Sequence, residues 1–170
     1  MTYQLERQSH VHSGFQHSER MLLRNHTERI GKKNMATRQQ KYPDTDTFHY
    51  YNANPKNRIT GDCAFRAIST ALNQDYNKTV MEMAELMCKT GYALDDTKGI
   101  KAYLESKGCV IHSQPRHSDG TKYTGAEFCK EFKGTCIANI GGHHIVCIKD
   151  GRILDTWDSS DGCIGNYWTK

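Results

Sequence analysis

Apolar residues recur at helical spacing through Ala64, Ala67, Ile68, Ala71 and Leu72, one stripe of a helix that opens at Cys63 and buries this face against a neighbouring layer. Thr79-Val80-Met81-Glu82 has the form of a capping box, and Val80, Met83, Ala84 and Met87 follow it at helical spacing as far as Gly91, a stop residue. A third helix fits Lys98 to Ser106, with Ile100, Tyr103 and Leu104 inward and Gly108 at its end. Thr124-Gly125-Ala126-Glu127 again has capping-box form and opens a short helix through Phe128 to Phe132. The remaining apolar runs are β-like: Cys109 to His112, Cys136 to Ile140, two runs around Asp150-Gly151, and Ile164 to Trp168. Helices come first and strands after, so the fold class is α+β, a helical lobe carrying Cys63 packed on an antiparallel sheet.

Asp150-Gly151 predicts a two-residue type I′ hairpin turn, because both positions need left-handed dihedrals. That turn fixes a register. Lys149 faces Arg152, Ile148 faces Ile153, Cys147 faces Leu154, Val146 faces Asp155, Ile145 faces Thr156 and His144 faces Trp157. Residues alternate between faces, so this register predicts one face with His144, Val146, Ile148, Ile153, Asp155 and Trp157, and makes His144 and Asp155 diagonal neighbours. His143 falls on the other face, opposite Asp158.

Cys63 follows the polar stretch Thr60-Gly61-Asp62 and starts a helix. At a helix N-terminus, unpaired backbone N–H groups and the positive end of the macrodipole lower a thiol's pKa and can hold an oxyanion. A general base oriented by a carboxylate completes such a nucleophile, and His144 held by Asp155 is the arrangement the hairpin offers. His143 is the alternative base. A buried cysteine is also an ordinary packing residue, and Trp157 is equally a core aromatic or a cover over the His–Asp pair. Arg66, four residues after Asp62, reads as one half of a helix-surface ion pair.

These motifs resemble the papain-like cysteine peptidase superfamily, in which the order is Cys, then a His leading a strand, then Asn or Asp before a small residue and Trp; here Asp155-Thr156-Trp157 occupies that last place. The chain is similar in particular to small papain-like proteins encoded by phages and mobile elements, through Asn54-Pro55-Lys56, Gly61-Asp62-Cys63, His144, Asp150-Gly151 and Asp155 to Asp158. The Cys63 to Ser69 run also resembles ovarian-tumour-type deubiquitinases, whose pattern the Asp155-Thr156-Trp157 ending suits less well. The resemblance covers about residues 48 to 168. It implies a papain-like fold and acyl transfer by Cys63, His144 and Asp155 on a peptide or isopeptide bond, without a cofactor. It further implies an oxyanion donor six residues before the nucleophile, where Asn57 stands in place of the usual Gln. The other function class is a papain-like fold without turnover that binds a partner protein.

Metal binding would draw on Cys136, His143, His144 and Cys147, but no Cys-x-x-Cys occurs, and adjacent strand residues point opposite ways, so no metal site is expected. The first thirty residues are polar apart from Met21-Leu22-Leu23, which fits neither an export leader nor a membrane span. Seven cysteines, an odd number, then point to a reducing cytoplasm. Charge divides the chain. Residues 1 to 41 hold eight Lys or Arg against three Asp or Glu, whereas the rest is close to neutral. Residues 1–44 are therefore expected to be a basic, mostly disordered arm with a short helix near Ser18 to Asn25, and residues 45–170 the folded domain. A solvated tail is the first reading of this arm, a nucleic-acid partner would be held only through its basic residues 1–41, and Met35 is a second plausible start. The expected partner of the domain is a peptide or protein substrate, with no membrane.

Overall fold

Asp62, Asp75, Asp96 and Thr124 each stand at the start of a helix, and the helical layer follows from them. The computed structural model describes residues 37–170; the expected helix at 18–25 and the Met35 start lie outside the described residues. Arg38–Lys170 form one compact unit, beginning with a single turn, α1 (Arg38–Lys41), and a short strand, β1 (Phe48–Tyr50). Three helices follow: α2 (Cys63–Ala71), α3 (Tyr76–Thr90) and α4 (Thr97–Ser106). Then come β2 (Val110–His112), α5 (Gly125–Glu131), β3 (Thr135–Ile140), β4 (His144–Lys149), β5 (Arg152–Asp155) and β6 (Ile164–Thr169).

The helices expected within the described residues are present, with one corrected start. Thr79 does not cap α3. The helix begins a turn earlier, at an Asp75 N-cap whose carboxylate accepts from Lys78 N–H, and Thr79 is buried with its hydroxyl donating to the Asp75 carbonyl. Gly91 ends α3 in the left-handed conformation at φ 76°, which a glycine adopts without strain. Thr124 and Glu127 form the reciprocal capping box that their spacing predicted.

The fold is α+β with a six-stranded sheet in the order β1-β5-β4-β3-β6-β2. The sheet is mixed, which corrects the antiparallel expectation: β1 runs parallel to β5, and every other pair is antiparallel. β1 has three residues and pairs with a strand about a hundred positions away, so no local periodicity announces it. Tyr51 N–H extends this contact by donating to the Asp155 carbonyl at 2.8 Å.

Two cores lie on opposite faces of the sheet. On one, Ala64, Ala67 and Ile68 of α2 pack with Met83, Ile100, Tyr103 and Leu104 of α3 and α4 against Ile137, Ile145, Cys147 and Trp168. On the other, Phe48, Phe128 and Cys129 pack against Cys136, Ala138, Ile140, Val146, Ile148, Ile153 and Ile164. The strands are thus covered on both sides, and β3 and β4 are buried along nearly their whole length.

Candidate active site

Asp150 and Gly151 both have positive φ, 51° and 80°, and the hairpin has the register they predict: Lys149 with Arg152, Ile148 with Ile153 and Cys147 with Leu154. The regular pairing stops there. β5 ends at Asp155, and Thr156 and Trp157 bend out of the strand. The expected opposition of His143 to Asp158 does not occur, because Asp158 lies past the bend, where its carboxylate accepts from Ser160 N–H.

His144 begins β4 and Asp155 ends β5, so the two meet at the rim of the sheet. Their single-face assignment needs correction for this reason. Val146, Ile148 and Ile153 are buried in the core away from α2, whereas Ile145, Cys147 and Leu154 face α2. Side chains at a strand end are free to turn over the edge. His144 Nε2 lies 2.6 Å from Asp155 Oδ2, and the imidazole also hydrogen-bonds the Cys63 thiol. With Nε2 occupied by the carboxylate, Nδ1 is the nitrogen that serves the sulfur.

α2 brings Cys63 to the same rim because its apolar stripe docks on β4 beside Ile145. The Ile145 backbone N–H helps to stabilise the charged sulfur. Burial alone would push the Cys63 thiol up, but His144 and the Ile145 N–H outweigh it and bring the thiol below its ordinary value. Burial likewise opposes a charged imidazole. Asp155 and Cys63 overcome it, and His144 is pushed up to about 9. Asp155, against its own burial, is held low by His144 and by Arg66. All three shifts favour the same state, a thiolate beside an imidazolium backed by a carboxylate.

Trp157 packs on His144 with ring centroids 4.7 Å apart and planes at 40°. His143 is exposed in the turn Gly141-Gly142-His143 between β3 and β4, so of the two adjacent histidines His144 is the one joined to Cys63 and Asp155. Asn57 is exposed with φ 51°, and its side-chain oxygen accepts from Asn52 Nδ2 at 3.2 Å. The Asn-Pro-Lys lead-in reaches the site through a different residue, Asn54, which donates to Asp62 Oδ2 at 2.9 Å.

Asp62 and Arg66 are the residues the spacing misread. Far from forming a surface pair, each is only 5 % exposed. Arg66 Nη2 donates to Asp155 Oδ1 at 2.9 Å while its Nη1 binds Asp62. The other Asp62 oxygen accepts from Tyr76 OH at 2.8 Å and from Asn54. A buried arginine therefore ties the acid of the site to the helix that carries the thiol. Its planar fork suits two carboxylates at once. Asp62 is the N-cap of α2 but makes no side-chain cap bond, and the first backbone bond of the helix is Arg66 N–H to the Asp62 carbonyl. The earlier N–H groups of the first turn, Cys63 included, are left without partners inside the helix.

Cys136 and Cys147 are buried in opposite cores, so the four candidate zinc ligands do not converge. Among the described residues no helix is long and apolar enough to cross a membrane. Comparison with models of protein families, with curated proteins and with solved structures found no match.

Proposed function

We propose that this protein is a cysteine peptidase or amide hydrolase on a papain-like plan, with Cys63 as nucleophile, His144 as general base and acid, and Asp155 as the group that orients it. The observation that carries the reading is the imidazole held between the Asp155 carboxylate, at 2.6 Å, and the Cys63 thiol at the start of a helix. A structural cysteine has no need of an imidazole backed by a buried carboxylate and a buried guanidinium.

In the reaction, the Cys63 thiolate attacks a carbonyl carbon and forms a C–S bond, and the carbonyl oxygen becomes an oxyanion. The Cys63 backbone N–H, left without a partner inside the helix, stabilises that charge. The His144 imidazolium gives its proton to the leaving nitrogen, the C–N bond breaks, and an acyl thioester remains. Water then attacks as His144 takes its proton, the C–S bond breaks, and acid and thiolate separate. Trp157 covers the His144–Asp155 bond and keeps water from competing for it. Arg66 is a positioning residue, acting through Asp155.

Alkylation tests this with internal controls, because Cys88 and Cys163 are exposed free thiols, whereas Cys63 is half-buried. At pH 6, iodoacetamide should modify Cys63 at least about tenfold faster than either, since the thiolate is the reacting species. Peptide mapping by mass spectrometry reads the three rates. If Cys88 and Cys163 react first, the thiol is unactivated, and a binding role for the fold replaces the hydrolase.

A further inference from the structure

β3 ends, β4 begins and β6 begins at the same end of the sheet, the end where Cys63 and His144 meet. There a cavity of about 380 Å³, large enough for a substrate side chain, is lined by Thr97 and Lys101 of α4, Asn139 of β3, Gly142 beside the histidines, and Gly165 and Trp168 of β6, among others. Asn139 pairs with Ile145, which shares a core with Cys63, so this wall is one strand away from the strand beside the nucleophile.

Three observations single out Asn139. It is only 8 % exposed, yet its Oδ1 has no hydrogen-bond partner among the described residues. An orphaned buried carbonyl forfeits the hydrogen bond that water would give it, so it stands out in a well-packed sheet. The β3–β6 register shifts between Ala138 and Ile140, a bulge opposite Asn139 of the kind found beside functional sites. Gly165 lies in that bulge, and a Cβ there would sit 3.5 Å from Asn139 Oδ1, so this backbone packs directly against the amide. Trp168 pairs with Ile137 and is thus a diagonal neighbour of Asn139 on the same face; its Nε1 is buried and also lacks a partner among the described residues.

We propose that this cavity is a substrate subsite that selects a neutral carboxamide, the side chain of Gln or Asn in a peptide, next to the bond attacked by Cys63. The inference rests on the hydrolase reading above. One carboxamide donates to Asn139 Oδ1 and accepts from Trp168 Nε1–H, satisfying both orphaned groups. Charged side chains fit less well. The lining holds no carboxylate for a basic residue, and its one cation, Lys101, is paired with Glu105 at 3.7 Å. A site built to hydrogen-bond its ligand rejects the isostere that lacks the groups.

The test uses peptidyl acyloxymethyl ketones that carry Gln or its amide-free analogue Met one or two residues before the electrophile, with the alkylation rate of Cys63 read by mass spectrometry. At one of the two positions Gln should react at least about tenfold faster than Met. In Asn139→Leu, checked by its thermal transition, and in Gly165→Leu, which fills the space from the opposite strand, that ratio should fall to about one. Equal rates at both positions, or a Gln preference that survives both substitutions, overturns the subsite. Iodoacetamide run in parallel reports the thiol by itself, so an unreactive Cys63 is recognised separately. Calorimetry of the corresponding peptide amides with Cys63→Ala protein then decides the subsite without any thiol chemistry: tighter binding of the Gln peptide supports it, and equal binding overturns it.

Discussion

Arg66 shows how much one side chain depends on its surroundings. Its spacing from Asp62 fits a solvated ion pair, and nothing local tells that the pair is covered. Burial turns the same two residues into the support of the site, since Arg66 also holds Asp155 at 2.9 Å. Arg66→Met should therefore cost about 3–5 kcal/mol in urea unfolding at neutral pH, because it leaves two buried carboxylates without their cation. A loss below about 1 kcal/mol would mean that water reaches the pair. Asp155→Asn acts on the chemistry. His144, now pushed up to about 9, should titrate by NMR nearer the ordinary histidine value of about 6.5. The pH dependence follows in sign. If the protein is the hydrolase proposed, its alkylation rate should rise as pH climbs through the lowered Cys63 value, and peptide turnover should fall as pH climbs through about 9, where His144 loses the proton meant for the leaving group. In Asp155→Asn the fall should move down in pH with His144, which narrows the active range from its upper side.

At the level of elements, short-range chemistry was legible wherever a single side chain closes a backbone bond. Thr124 accepts from Glu127 N–H at 3.2 Å, and Glu127 reaches back to Thr124 N–H at 2.8 Å. Thr124→Ala should cost about 1 kcal/mol by the shift of its urea midpoint, as the loss of one N-cap. Where two caps competed, the pattern alone chose wrongly. Asp75 and Thr79 lie one turn apart, both precede apolar residues, and the packing of Thr79 into the interior leaves Asp75 to start α3. The Asp150-Gly151 turn set the hairpin register, but not where the ladder ends. That depends on Tyr51 and Arg38, which bond the Asp155 and Thr156 carbonyls from distant parts of the chain.

For the whole molecule, the sheet separates two cores that share no apolar contact layer. Ile68 lies under the helices and Ile164 under α5, both fully buried. Ile68→Val and Ile164→Val should each cost about 0.5–1.5 kcal/mol, and the double variant should equal their sum within about 0.5 kcal/mol in urea unfolding. A larger departure would show that strain passes through the sheet. The pattern of residues by itself determined the helices from α2 onward, the Asp150-Gly151 hairpin and its register, and the chemical types at Cys63, His144 and Asp155, because caps, turns and side-chain alternation act over a few residues. Tertiary structure decided the rest. It added β1 in parallel, put the His–Asp pair at the rim instead of on a face, and buried Arg66 between two carboxylates. Each of these depends on contacts between segments far apart in the chain, whose closeness is set by burying two apolar faces at once and not by any local preference.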